Sequence, residues 1–254
     1  MGDTLMSDKP TARGAPAWSA LSWAPGPQVV RLEALPMTKA RFSLFLIRDF
    51  GVSNASVRSC DCRFSDAHSP MNLLDDVRHG TRALHLRVEA RLSDGHASWT
   101  LEQYIRLLRI THAVVQPLES VLDERLGDIF TAPPPDTRAR RLEADLRAMG
   151  AVGGSVPCGL KIESDAGAFG VGYVLQGSLL GGAVISRQVR RTSGTGAATA
   201  YFDMYGQRLG AAWARYCASL NAFGEQASAM DRAAAVSAAV AAFSAFDAAI
   251  DRVP

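Results

Sequence analysis

The chain has 254 residues, 48% of them hydrophobic and 20% charged, and its 27 basic and 25 acidic groups leave a net charge of +2. That much apolar material can bury a sizeable core and excludes a broadly disordered chain. The near-neutral balance excludes a general nucleic-acid binder, and Cys60, Cys62, Cys158 and Cys217 are too few for a disulfide scaffold at this length.

The charge is unevenly spread. Residues 1–70 carry eight basic and six acidic groups and no sustained helical period, whereas residues 71–254 carry 19 of each and read as helix after helix. A boundary is therefore expected near residue 70. It separates a poorly ordered N-terminal extension (1–70) from a single helical domain (71–254), with Met71 a candidate natural start. Within the extension only residues 40–50 (ARFSLFLIRDF) are apolar enough to dock. Asp49, Phe50 and Gly51 imitate the kinase metal-binding triplet by chance, since no Gly-rich loop or catalytic-loop motif accompanies them. Cys60 and Cys62 form a lone C-x-C without the second ligand pair of a zinc site. No basic region followed by an apolar run and a cleavage site opens the chain, so a cytoplasmic location is expected.

The apolar spacing after Met71 is helical. Leu73, Leu74, Val77, Thr81, Leu84, Val88 and Leu92 share one side of a helix over roughly 72–92. Thr100 and Gln103 make a capping box for the next helix, whose core face holds Leu101, Tyr104, Ile105 and Leu108, and Pro117 kinks or restarts it. After three prolines at 133–135, Asp136 or Thr137 caps a short helix closed by Gly150. A long segment over 164–189 follows, then a helix near 199–221. A final helix over about 225–252 places Val236, Val240, Phe243, Phe246 and Ile250 on one face. No hairpin signal competes, and the fold class is all-α.

Two segments carry functional information. Residues 166–186 are uncharged throughout and long enough to span a bilayer, with Gly177 and Gly181 in the G-x-x-x-G spacing of membrane helix pairs. Six glycines, Gln176 and Ser178 in mid-segment, and the lack of an aromatic belt favour a buried central helix instead. Glycine in a helix costs about 1 kcal/mol relative to alanine. The cluster of Gly177, Gly181 and Gly182 therefore implies either close helix–helix packing or a flat ligand lying on bare backbone.

The other segment is the first core helix. All five histidines (68, 79, 85, 96 and 112) lie between residues 68 and 112. His79 and His112 fall near polar faces, whereas His85 sits at the edge of the apolar stripe. A lone histidine there is most often a satisfied boundary residue. Glu89, one turn on, favours a ligand role, because it can accept a hydrogen bond from Nδ1 and leave Nε2 for a metal. Arg78 and Arg82, two turns and one turn before His85, are placed to meet a ligand carboxylate.

Residues 77–89 (VRHGTRALHLRVE) resemble the proximal helix of haem oxygenases, and residues 173–182 (YVLQGSLLGG) resemble their glycine-rich distal helix. The likeness is to the bacterial, biliverdin-producing branch often associated with bacteriophytochromes. It extends over about 71–250 and leaves out the first 70 residues.

The resemblance implies a helical bundle with haem held between the proximal helix and a kinked distal helix. His85 would be the iron ligand, Glu89 its hydrogen-bond partner, and Arg78, with Arg82 near it, would face haem propionates. Tyr173 would line the pocket. Gly177, Gly181 and Gly182 would bring bare backbone to the haem face, with Gly177, Ser178 and Gly181 forming the catalytic distal surface. Haem would be both cofactor and substrate, cleaved with O2 and electrons from a ferredoxin or reductase to biliverdin, carbon monoxide and ferrous iron. A bacteriophytochrome would be a biliverdin acceptor. Neither a nucleic-acid partner nor a membrane span is implied.

The chain departs from the mammalian pattern. Ser178 stands where those enzymes carry a water-organising aspartate, and Leu180 replaces a later serine. For the C-terminal basic residues that hold propionates, Arg208 and Arg215 are candidates. A non-catalytic haem carrier or sensor on the same scaffold is the alternative reading. A thiamin-salvage-type hydrolase, which shares a similar scaffold, would need an active-site cysteine, and neither Cys158 nor Cys217 has supporting partners nearby in sequence.

Overall fold

The computed structural model describes residues 72–93, 98–154, 159–193 and 197–254. The proposed extension, residues 40–50, Cys60, Cys62, Cys158, His68 and His96 lie outside them. Seven α-helices and no strands occur among the described residues: α1 (Leu73–Ser93), α2 (Leu101–Val115), α3 (Glu119–Leu126), α4 (Arg138–Ala148), α5 (Asp165–Ser193), α6 (Leu209–Gln226) and α7 (Ala229–Arg252). The all-α expectation holds.

Local chemistry sets most of the boundaries. Thr100 and Gln103 form the expected reciprocal capping box at α2, and the turn between α2 and α3 contains Pro117. Thr137 caps α4 by accepting the Arg140 amide, and Gly150, at φ +71°, lies just beyond its end. Ser228 and Asp231 form a second capping box at α7.

The helix expected near 199–221 instead begins at Leu209. Residues 200–205 form turns, and Gly206 has the left-handed φ of +50°. Both oxygens of Asp145 accept backbone amides there, from Ala200 and Tyr201, at 2.9 Å. Thr199 donates to Asp203 at 2.6 Å. With these groups satisfied by side chains, the segment buries Tyr201, Phe202 and Met204 without being helical. The end of α6 runs past 221 to Gln226, and α7 starts at Ala229 rather than near 225.

α5 lies at the centre and packs along α7, which in turn covers α1. The contact between α5 and α7 is close because Gly170 has no side chain: a Cβ there would lie 2.0 Å from the Ala235 carbonyl oxygen. This approach fixes which face of α7 is inside. Ala235, Ala239 and Ala242 are fully buried with Phe243, Phe246 and Ile250, while the expected core residues Val236 and Val240 are only half-buried. α5 and α7 are both long and apolar enough to cross a membrane, but 67% of α5's apolar stretch is buried in the protein, against 39% for α7.

Ion pairs fasten α1 to α7. Asp247 receives hydrogen bonds from Arg87 and from Arg91, the latter at 2.6 Å, and Arg91 also bonds Asp251. Burial works to raise the Asp247 pKa, but the Arg91 and Arg87 hydrogen bonds outweigh it and hold the carboxyl below its ordinary value. A depressed carboxyl pKa contributes stability that is present above the unfolded value of about 3.9 and lost as pH falls through the folded value. Asp247→Asn is therefore expected to flatten the acid limb of the stability profile below about pH 4, as measured by urea unfolding across pH.

Candidate haem-binding site

The candidate residues on α1 form one stripe, since Arg78, Arg82, His85 and Glu89 are spaced by four, three and four. The His85 side chain is 33% exposed, and its ring lies 5.4 Å from that of Phe243 on α7. Burial lowers its pKa, so the imidazole is neutral at neutral pH and keeps a lone pair for a metal. His85 Nε2 is 3.9 Å from Glu89 Oε1, too far for a hydrogen bond. It is Nε2, rather than the expected Nδ1, that lies at this distance from the carboxylate. Arg78 and Arg82 are exposed, with the Arg78 guanidinium 3.6 Å from Asp75.

Tyr173 of α5 reaches α1. Burial raises the phenol's pKa, and Arg78 and Thr81 act on its hydroxyl in the opposite direction. Arg78, Thr81 and Tyr173 therefore converge, although Tyr173 is 92 or more residues from the other two in sequence. Cys217 of α6 joins them. Burial pushes its thiol up to about 12, which unsuits it for the nucleophile role of a hydrolase.

The α5 glycines divide by what surrounds them. Gly170 touches the α7 backbone, and a Cβ on Gly172 would lie 2.5 Å from the Tyr216 hydroxyl. A Cβ on Gly182 would overlap the Phe202 ring at 1.9 Å, so its glycine serves Phe202 packing, in place of the ligand contact expected for it. Gly177 differs: a Cβ there would meet only the Trp213 indole, at an ordinary 3.5 Å. Among the described residues, packing does not demand glycine at 177, nor at 167 near the start of the helix, where the nearest atoms to a Cβ lie at 3.5 Å or more. Gly181 is half-buried beside Gly177 on the next turn. α5 is helical throughout Asp165–Ser193. Ser178 Oγ donates to the Leu175 carbonyl at 2.8 Å and acts on the buried Tyr201 hydroxyl.

Several residues of this region were not singled out by sequence. Trp213 is 7% exposed and lies between Tyr173, at 5.6 Å, and Tyr216, stacked at 6.2 Å. Phe243 reads as core from its helical spacing, but nothing in sequence sets it against His85. Arg138, at the start of α4, is fully buried, contrary to any expectation from its arginine-rich surroundings. His112, expected near a polar face, is 12% exposed; its Nδ1 is 3.1 Å from the Gly154 carbonyl and its Nε2 3.5 Å from Glu143. Gly153 makes room for that ring, since a Cβ would lie 2.5 Å from it. Arg208 and Arg215 are exposed. The clefts lined by Arg91, Glu102 and Arg106, and by Gly159, Leu160 and Ala245, contain none of the candidate residues.

No family model matches this chain, and no curated protein matches it. Among solved structures, the chain is similar to a haem oxygenase from Neisseria meningitidis studied in its NO- and CO-bound forms. The TM-score is 0.57 at 19% identity, over 72% of this chain and 92% of that one. At this identity the likeness shows the fold: an all-α, haem-oxygenase-like helical bundle.

Proposed function

We propose that this protein is a haem oxygenase, converting haem to biliverdin, carbon monoxide and ferrous iron with O2 and electrons from a ferredoxin or reductase. The observation that carries the reading is Gly177, a helix-interior glycine that no packing neighbour requires, on the helix whose Tyr173 meets the α1 stripe bearing His85. The haem-oxygenase-like fold supports it. Haem, when bound, supplies both the iron that activates O2 and the macrocycle that is opened.

The chain's own residues have the following roles in this reading. His85, kept neutral by burial, offers an imidazole nitrogen to the iron. Glu89 takes the proton on the other ring nitrogen once the ring has turned toward it. Arg78 and Arg82 bind propionates, for which a permanently charged, fork-shaped guanidinium is suited, and Tyr173 orients Arg78 from across the site. Gly177 and Gly181 present bare backbone to the macrocycle and, with Ser178, line the distal surface. The Ser178 proton is held on the Leu175 carbonyl, which leaves the hydroxyl oxygen as an acceptor. Gly182 acts at one remove, through Phe202. A cytoplasmic location, a natural start at Met71 and delivery of biliverdin to a bacteriophytochrome complete the proposal.

The test is to add haemin to the purified full chain, follow the Soret band, then supply reductant and oxygen. Biliverdin formation supports the proposal, a stable oxygenated complex with no ring opening indicates a carrier, and no Soret change sinks both. Gly177→Ala separates binding from folding. Its melting temperature should match or exceed wild type, because alanine gains up to about 1 kcal/mol in a helix, while haem affinity falls as the methyl enters the ligand's space. Equal haem affinity in the variant would count against Gly177 as a ligand contact.

A further inference from the structure

The outer side of α7 is poorly covered for so apolar a helix. Only 39% of its apolar stretch is buried, and Met230 in its first turn is 82% exposed. Beside α7 runs an open cleft of about 530 Å3, walled by Ala241, Ala245 and Ala248 of α7, Val114 of α2 and Leu160. At about 100° per residue those alanines share a side of the helix with Met230 and Arg252, and Asp231 lies at its edge. Small apolar side chains let another backbone come close, and taking such a surface out of water favours association.

Charge decides what approaches. α7 carries Asp-Arg at both ends, at 231–232 and 251–252, and only Asp247 is charged between them. Arg232 is held by Asp76, Asp247 by Arg87 and Arg91, and Asp251 by Arg91. That leaves Asp231, whose carboxylate caps the helix by accepting from Ser228, and Arg252, which is exposed and makes no hydrogen bond or ion pair among the described residues. The two stand roughly 30 Å apart along the helix and cannot meet within one chain. A second α7 running the opposite way sets Asp231 against Arg252 at each end, Ala238 against Ala245, and the two copies of Ala241 near the middle. A parallel copy would set like charge against like.

We propose that the outer side of α7 is the contact surface for a second copy of this chain, which lays its own α7 antiparallel in the cleft about a twofold axis near Ala241. One patch then serves both partners, and the two Asp231–Arg252 pairs are equivalent. A single helix face lies at the small end of specific interfaces, so the dimer is weak and depends on concentration. The contact uses neither the α1 stripe nor the α5 glycines and is independent of the haem reading.

Sedimentation velocity of the full chain should show a reversible monomer–dimer equilibrium in the micromolar range. Arg252→Asp sets aspartate against aspartate at both ends and should weaken the dimer about tenfold or more. Asp231→Arg should do the same by setting arginine against arginine. Mixing the two variants returns opposite charges to both ends and should restore a dimer containing one of each. Ala241→Lys brings like charges together near the axis and should block pairing while leaving the Asp231 cap intact. Melting curves check that each variant is folded, and Arg252→Asp with Ala241→Lys decides if Asp231→Arg is not. A chain that stays monomeric at every concentration overturns the proposal, whether residues 1–71 or added lipid vesicles cover the cleft instead. So does a dimer that neither Arg252→Asp nor Ala241→Lys weakens, or folded charge variants that do not pair when mixed.

Discussion

His85→Ala is expected to lower haem affinity by on the order of a hundredfold or more, since even the partners of metal-ligating histidines are commonly worth 10- to 100-fold. Biliverdin formation should be lost with it, and added imidazole should restore part of the Soret band. The fold should survive, because the side chain is one-third exposed and its main ring contact is Phe243. The pH dependence follows from the same burial. A lowered pKa keeps the ring neutral into weakly acid solution, so wild-type affinity should stay level from pH 8 downward and fall only once pH passes below the ordinary histidine range. A Soret titration at several pH values, run beside circular dichroism of the variant, checks both. A variant that binds haem as tightly as wild type would remove His85 as the ligand.

Gly170→Ala is expected to have the largest effect on stability. Its methyl would sit 2.0 Å from the Ala235 carbonyl oxygen and 3.0 Å from the Ala239 amide, and backbone cannot swing aside as a side chain can. The helices α5 and α7 would have to separate along their contact. Overpacking of this kind costs about 3 kcal/mol, which for a domain of this size lowers the melting temperature by roughly 6–12 °C. Gly177→Ala in the same helix is the control, with equal or higher stability expected. If calorimetry found the two variants equally stable, the assignment of Gly170 to packing and Gly177 to a ligand would fail.

The glycines show how far a sequence can be read. Their number on one helix marks a surface where backbone is approached closely, but not by what. Gly170, Gly172 and Gly182 are spoken for by α7, Tyr216 and Phe202, each distant in sequence. Only with those neighbours in place does Gly177 stand out, with Gly167 near the helix start, as a position that packing does not reserve for glycine. The expected core face of the last helix shows the same limit. Valine is the larger apolar residue, so spacing favours Val236 and Val240, yet the contact at Gly170 leaves room only for Ala235 and Ala239.

What the sequence determined by itself is what local physical chemistry controls. Helical periodicity fixed the all-α class, and the Thr100–Gln103 capping box set the start of α2, whereas the choice of Thr137 over Asp136 at α4 came with the structure. The four- and three-residue spacing of Arg78, Arg82, His85 and Glu89 put them on one stripe, because a helix repeats every 3.6 residues. The tertiary structure decided the rest. It joined Tyr173 to Arg78, set Phe243 against His85, made turns of residues 200–205 through Asp145, and buried Arg138 against Phe130, Gln176 and Tyr205. The reason is that close packing and buried polar satisfaction depend on which distant backbone arrives at a site, and no local pattern encodes that.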